Sequence, residues 1–404
     1  MTGLSSKPLA DRYEAFLLDL DGVVYRGSAG IPGAAEAIAG LRERGRRVVF
    51  LTNNSARTPE QVAGKLAGMG VEAAPGDVVT SAQAAASLVA AEMPGASAFV
   101  VGEEGVTAAL AAEGLRVAET GASKVDAVVV GWDRAADYDK LRDAAVHVLR
   151  GARFVATNTD ASYPAPGGEL WPGAGALVAA IETATGRRAE SAGKPEGALF
   201  ETALARAGTR DTLVVGDRIE TDIAGAERAG LDALLVLSGA AGRADLLDGG
   251  ALPVAVAADL AGVLEPAIVA RVREARESDG VADLLHEAGL AAEPSDGATF
   301  VAGEDQVTGT ASVVVREGDA YLHSVAVKRE ARGREVGTLV VSAAWHRAVL
   351  LGVRRAFLLT EEAEGFFARL GFGRVDRRAL PAWVSERSRA CSQAAVAMTR
   401  DVRG

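Results

Sequence analysis

Asp19-Leu20-Asp21-Gly22 follows directly on the apolar run Phe16-Leu17-Leu18. This conjunction limits what the chain can become more than any other stretch. A short apolar run closed by charge and glycine predicts a strand buried on both faces. Two carboxylates at the end of such a strand raise each other's pKa unless a cation or a shared proton relieves them. A Mg²⁺ ion beside Asp19 supplies that relief and leaves Asp21 free to hold or pass a proton. This division of labour suits a carboxylate nucleophile with an acid/base partner. Taken alone, the four residues read equally well as an Asp-Gly turn ending a strand.

The same texture recurs downstream. Apolar runs at Ala15–Leu20, Arg47–Thr52, Ala98–Gly102, Ala127–Gly131, Arg153–Thr157, Thr212–Gly216 and Ala233–Leu237 predict strands. Segments such as Ala34–Arg44, Glu60–Met69 and Pro195–Ala207 carry apolar residues at helical spacing. Strands and helices alternating in this way predict an α/β fold, a doubly wound, Rossmann-like parallel sheet covered on both faces. Such sheets collect their functional groups at the carboxyl ends of the strands. Asp19, Thr52 and Gly216-Asp217 all fall at those ends.

With 404 residues the chain is too long for one core and divides into several domains. Residues 1–80 and 189–265 read as two parts of one core, interrupted by an inserted α/β cap at 81–188. Residues 266–280 read as a connecting helix, and 281–404 as an α+β domain with hairpin signals at Gly303-Glu304-Asp305 and Glu317-Gly318-Asp319. A net charge of −11 with no Lys/Arg block argues against a nucleic-acid partner. The single Cys391 excludes an internal disulfide and fits a reducing compartment, and four scattered His give no zinc-ligand spacing. The N-terminus has no signal-peptide pattern and no apolar stretch is long enough to span a bilayer, so the expectation is a cytoplasmic protein with no membrane partner.

Moving a phosphoryl group onto a carboxylate requires four pieces, and they occur in order. Asp19 is the candidate nucleophile and Asp21 the candidate acid/base. Thr52, in Leu51-Thr52-Asn53-Asn54-Ser55, offers a hydroxyl and neighbouring backbone N–H groups to phosphate oxygens, with Asn53 and Asn54 beside it. Lys194, in Gly193-Lys194-Pro195, brings a compact positive charge to the phosphate and Asp19, and Pro195 suits the first position of a following helix. Asp217, in Gly216-Asp217-Arg218, completes a Mg²⁺ shell, and Asp222 is spaced to brace a metal water or Lys194.

With these motifs in place, residues 1–265 resemble the haloacid dehalogenase superfamily. The matching class carries a large cap between the second and third motifs and includes the 4-nitrophenyl phosphatase, phosphoglycolate phosphatase and glycerol-3-phosphate phosphatase group. The resemblance rests on DLDGVVYRG (19–27), TNNSARTP (52–59), GKP (193–195) and GDRIETDIAGA (216–226). It implies a Mg²⁺-dependent phosphatase working through an aspartyl phosphate, with glycerol 3-phosphate as first candidate substrate and phosphoglycolate next. It also implies that Asp21 meets Mg²⁺ through its carbonyl, while Asp19 and Asp217 do so through carboxylates. In the cap, Ala156-Thr157-Asn158-Thr159-Asp160 and Leu170-Trp171-Pro172-Gly173-Ala174-Gly175-Ala176 resemble the same group, where the Asn and Asp lie close to substrate. Asn158 and Asp160 read equally as turn residues. A cap of this size favours small phosphorylated metabolites by excluding water and large substrates.

Tyr321–Val327, Arg332–Val340, Phe357–Thr360 and Glu364–Phe372 make residues 281–404 resemble GNAT-type acetyltransferases, nearest the N-acetylglutamate synthases. Two departures stand out. Glu335 occupies the place of the first glycine of the pyrophosphate loop, where a carboxylate repels pyrophosphate. Phe367 stands where many members have a tyrosine acid. The family's first strand also has no evident counterpart before Val281. Three expectations follow for this domain: a working acyl-CoA-dependent transferase, which makes the chain bifunctional; a degenerate domain that still binds an acyl-CoA-like ligand weakly or regulates; or a purely structural appendage. A ligand-sensing or dimer-forming module, the latter giving a homo-oligomer, is a further expectation. His323, His346 and Cys391 read as packing residues.

Overall fold

Six parallel strands carry the core's longest buried apolar runs. From edge to edge the sheet reads Ala255–Ala257, Asp232–Val236, Thr212–Gly216, Ala15–Asp19, Arg47–Thr52 and Val78–Thr80. All five residues of both Ala15–Asp19 and Thr212–Gly216 are buried, as continuous apolar runs covered by helices on each face require. This is a computed structural model; it describes residues 7–119, 121–164, 169–290, 296–304, 306–390, 392 and 394–402. Cys391 and Asp305 lie outside the described residues. Helix Pro59–Ala67 starts at a capping box in which Thr58 and Gln61 exchange side-chain-to-backbone bonds. Pro195 does not open the next helix. Gly193 to Glu196 form a turn that aims Lys194 inward, and the helix runs Gly197–Ala207.

The cap has its own five-stranded parallel sheet, ordered Glu190–Ser191, Arg153–Ala156, Ala127–Val130, Ser97–Val101 and Arg116–Val117. Its edge strand Glu190–Ser191 pairs with Arg153–Ala156, so the cap reaches Ser191 and the boundary expected at 188 falls too early. The sequence pattern missed this because two residues carry no periodicity.

The C-terminal seven-stranded sheet is antiparallel except where Asp319–Val327 lies parallel to Arg355–Thr360. The expected hairpin at Glu317-Gly318-Asp319 is present: Arg316 faces Asp319, and Glu317 and Gly318 take φ of 55° and 82°. The connecting helix expected at 266–280 is not. Val272–Glu274 is a strand pairing antiparallel with Ala298–Ala302, and it supplies the first strand that seemed missing. Arg271, Val272 and Arg273 alternate charged and apolar with period two, and the sheet edge rewards that pattern. Phe367 is buried and meets Phe366 and Phe372 edge-on. Among the described residues no helix is long and apolar enough to cross a membrane.

Two sets of contacts join this domain to the core. At the amino ends of the core strands, Arg12 bonds Glu304 at 2.7 Å and Arg271 pairs with both Asp232 and Glu304. At the carboxyl ends, the long helix Val336–Leu350 packs on the short helix Asp245–Asp248, and His346 Nε2 lies 2.8 Å from the Leu246 carbonyl.

His323 and His346 do pack rather than face a site. The His323 ring stacks on Tyr321 at 5.4 Å, and burial, aided by Arg387, pulls its pKa down to about 4. A histidine depressed in the folded state supports stability above its unfolded value near 6.5, and that support is lost as pH falls toward 4. Comparing native protein with His323→Phe by urea unfolding at pH 7 and pH 4.5 checks this. The native chain is expected to lose more stability than the variant, by an upper bound of about 3 kcal/mol. Equal losses would contradict the buried neutral ring.

Candidate active site

Three parallel strands deliver acidic and hydroxyl groups to one end of the core sheet. Asp19 closes Ala15–Asp19, Thr52 closes Arg47–Thr52, and Asp217 follows Thr212–Gly216 directly. Lys194 enters between the cap's last strand and helix Gly197–Ala207. Its Nζ lies 2.5 Å from Asp19 Oδ1 and 2.6 Å from Asp222 Oδ1, all three side chains being buried or nearly so. Asp222 is turned back by the wide helical turn Ile219–Ile223, where its Oδ2 accepts the Arg218 N–H at 3.1 Å. A Cβ at Gly216 would sit 2.2 Å from the Asp222 Cβ, so glycine is required there.

Asp19, Asp217 and Asp222 each bring a carboxylate oxygen within 4.8 Å of the others. Asp217 Oδ2 accepts the Ala240 N–H at 2.7 Å, while its buried Oδ1 has no hydrogen-bond partner among the described residues. The carboxylate sits in a glycine cradle: a Cβ would reach its Oδ2 at 2.2 Å from Gly22 and 1.9 Å from Gly239. Burial pushes Asp19 well above the ordinary carboxylate range, Lys194 opposes this, and Asp222 and Asp217 add to it. Burial and then Asp222 push Asp217 up to about 6, against the Ala240 N–H and Lys194. Burial alone would lower Lys194, but Asp19 and Asp222 raise it above its ordinary value, so it remains an ammonium. Three carboxylates facing one ammonium leave two negative charges uncompensated. An orphaned buried oxygen and a double charge deficit fit a small divalent cation with oxygen ligands.

Asp21 stands apart from this cluster, exposed to the cleft. The cleft walls raise its carboxyl, and Lys65 and the Gly27 N–H pull it back. The cleft, about 1230 Å³, lies between core and cap and is lined by Asp21, Thr52 and Lys194 on one side and Trp132, Asp160 and Tyr163 on the other.

Asn53, Asn54 and Asn158 line this cleft and already hold other partners. Asn53 Nδ2 donates to Asp160 Oδ2 and the Lys194 carbonyl at 3.1 and 3.2 Å, and its Oδ1 accepts the Lys194 N–H at 2.8 Å. Asn54 Oδ1 accepts the Ala56 N–H, and the Asn54 N–H goes to Thr52 Oγ1. Asn158 Oδ1 accepts the Asp160 N–H and its Nδ2 donates to the Asn53 carbonyl. Three loops meet here at the edge of the cleft, and these side chains satisfy their backbone groups. Sequence reasoning missed the Trp132–Tyr163 stack, with ring centroids 4.6 Å apart, and Lys65, whose Nζ lies 3.3 Å from the Tyr25 ring centroid. Trp132 follows the buried strand Ala127–Val130, so the strand-end rule that found Asp19 also reaches it.

Residues 16–116 match the family described as haloacid dehalogenase-like hydrolase, residues 191–263 a second model of HAD-like hydrolases, and residues 268–372 the acetyltransferase (GNAT) family. The chain is 43% identical over 234 residues to a D-glycerol 3-phosphate phosphatase of Mycobacterium tuberculosis, covering 58% of this chain and 65% of that protein. It therefore spans slightly under two thirds of that relative's length. It is 40% identical over 238 residues to a 5'-nucleotidase of Bacillus subtilis, covering 58% of this chain and 91% of that protein. The crystal structure of a glycerol phosphate phosphatase from Mycobacterium tuberculosis in complex with magnesium matches at 33% identity with a TM-score of 0.67, covering 90% of this chain and 98% of that one.

Asn53→Ala removes three hydrogen bonds joining core, cap and the Lys194 turn. The loss is expected to cost about 2–4 kcal/mol, since buried partners are left unpaired. Denaturant unfolding measures it, and unchanged stability would show that the bracket is dispensable.

Proposed function

This chain belongs to the haloacid dehalogenase-like hydrolases, and from that membership we propose that it hydrolyses small phosphomonoesters through an aspartyl-phosphate intermediate, with Mg²⁺ as cofactor. The observation that carries the reading is the meeting of Asp19, Lys194 and Asp217 at one sheet end, with an acid/base candidate two residues beyond the nucleophile. Lys194 holds Asp19 Oδ1 and leaves Oδ2 free to attack phosphorus. As the P–O bond to the alcohol breaks, Asp21 donates its proton to the leaving oxygen. Asp21 then takes a proton from water, which attacks phosphorus, releases phosphate and restores the Asp19 carboxylate. Thr52 would donate its hydroxyl to a phosphate oxygen, a role supported by its position at the strand end and by its Oγ1 accepting the Asn54 N–H. Held by the Asp19 and Asp217 carboxylates and the Asp21 carbonyl, Mg²⁺ would neutralise charge and orient the phosphate.

Glycerol 3-phosphate is the substrate we put first, supported by the named activity of the Mycobacterium tuberculosis relative and by the cap over the cleft. Phosphoglycolate follows. No acyl transfer is assigned to the C-terminal domain. Glu335 puts a carboxylate at the amino end of helix Val336–Leu350, where its oxygens already bind Arg243 and Thr338.

Phosphate release from glycerol 3-phosphate, phosphoglycolate and a nucleoside 5'-monophosphate, with and without Mg²⁺, tests the reading. Release should require Mg²⁺ and fall by about 10³-fold or more in Asp19→Asn with the fold retained. Activity surviving in that variant would refute the mechanism. Glycerol 3-phosphate turned over no better than the others would remove the substrate assignment and leave the class.

A further inference from the structure

The loop between strand Asp232–Val236 and helix Asp245–Asp248 touches Asp217 at one end and the C-terminal domain at the other. At its inner end, Gly239 forms one wall of the Asp217 cradle, and the Ala240 and Ala241 N–H groups bond the Asp217 side chain and carbonyl at 2.7 and 3.1 Å. Ser238 Oγ ties the same loop to the Gly22 carbonyl, the other wall, at 2.7 Å. With so little room, a shift of residue 239 moves the carboxylate with it. At its outer end, Arg243 Nε bonds Glu335 Oε1 at 2.8 Å, and the buried Arg400 reaches Asp248 at 2.9 Å.

Glu335 is an unlikely residue for its place on backbone grounds. It has φ of 57°, in the left-handed region that favours glycine, immediately before helix Val336–Leu350. Its carboxylate is engaged by Arg243 from the core and by the Thr338 hydroxyl at 2.8 Å. The core and C-terminal domains are also joined at the opposite pole by Arg12, Arg271, Asp232 and Glu304, so the Arg243–Glu335 pair is not needed merely to keep them attached.

We infer that the C-terminal domain sets the position of Asp217 through loop 238–244, with Arg243 and Glu335 as positioning residues. The inference rests on the phosphatase reading, in which Asp217 is a metal ligand. The domain's contribution to this enzyme is then a fixed external wall for the metal site.

Calorimetric titration of Mg²⁺ into the substrate-free full chain tests it, alongside the Mg²⁺ dependence of phosphate release and the melting temperature. Arg243→Met and Glu335→Gly are expected to weaken Mg²⁺ binding about two- to fivefold, the range a partly exposed ion pair can supply. Turnover at saturating Mg²⁺ should hold. Glu335→Gly should melt no lower than native, because glycine is at ease at that φ. Arg243→Lys should retain native affinity, as should Arg355→Met, which breaks the Arg355–Asp401 pair inside the C-terminal domain. Native Mg²⁺ affinity in folded Arg243→Met and Glu335→Gly overturns the coupling and leaves the phosphatase reading standing. Equal weakening in Arg355→Met also overturns it. A native chain that binds no Mg²⁺ overturns both.

Discussion

The buried ammonium of Lys194, held between Asp19 and Asp222, is the interaction on which the site depends. Charges removed from water are costly unless each finds a partner in good geometry. Here one cation compensates a residue from the first core strand and another that follows the Thr212–Gly216 strand, groups separated by about two hundred positions. Lys194 is also where the chain returns from the cap, so the same ion pairs anchor the end of that long excursion. The Asn53 side chain braces this return through the Lys194 backbone and reaches Asp160 in the cap. Removing Lys194 would leave two buried carboxylates facing each other and release the cap's exit from the core.

One ammonium does not balance three carboxylates, and the surplus gives the site its chemistry. The orphaned Asp217 oxygen and the raised carboxyl groups of Asp19 and Asp217 express the same deficit. Glycines make the deficit possible by bringing backbone within reach of the carboxylates. Gly216 admits Asp222, and Gly22 with Gly239 encloses Asp217 so closely that no side chain fits at either position. Packing thus holds the acids together at a separation their mutual repulsion opposes.

In the C-terminal domain, one charged side chain at a helix end shapes the contact with the core. Its sheet is complete, yet the amino end of its long helix is closed by the Glu335 carboxylate and faces Arg243 of the core. The residue before this helix serves contact between domains. Charge decides this: a carboxylate at a helix amino end repels an anionic ligand there, and it already holds the Arg243 cation.

Local pattern made the core legible. Strands at Ala15–Asp19, Arg47–Thr52 and Thr212–Gly216 announce themselves as apolar runs ended by polar residues, and parallel sheets bring such ends together. Asp19, Thr52 and Asp217 were therefore within reach of sequence alone, while for Asp222 the spacing left a metal water and Lys194 as alternatives that the ion pair decides. The strand Val272–Glu274 was not, because three residues of mixed charge take their conformation from a neighbour. Nor were the engagements of Asn53 and Asn158, whose partners lie about a hundred positions away. The sequence determined which side chains stand at the ends of the core strands, since burial of apolar runs dictates that locally. Only the tertiary structure decided which partners each side chain holds across the cleft, because hydrogen-bond partners and close backbone approach depend on distances that no spacing along the chain encodes.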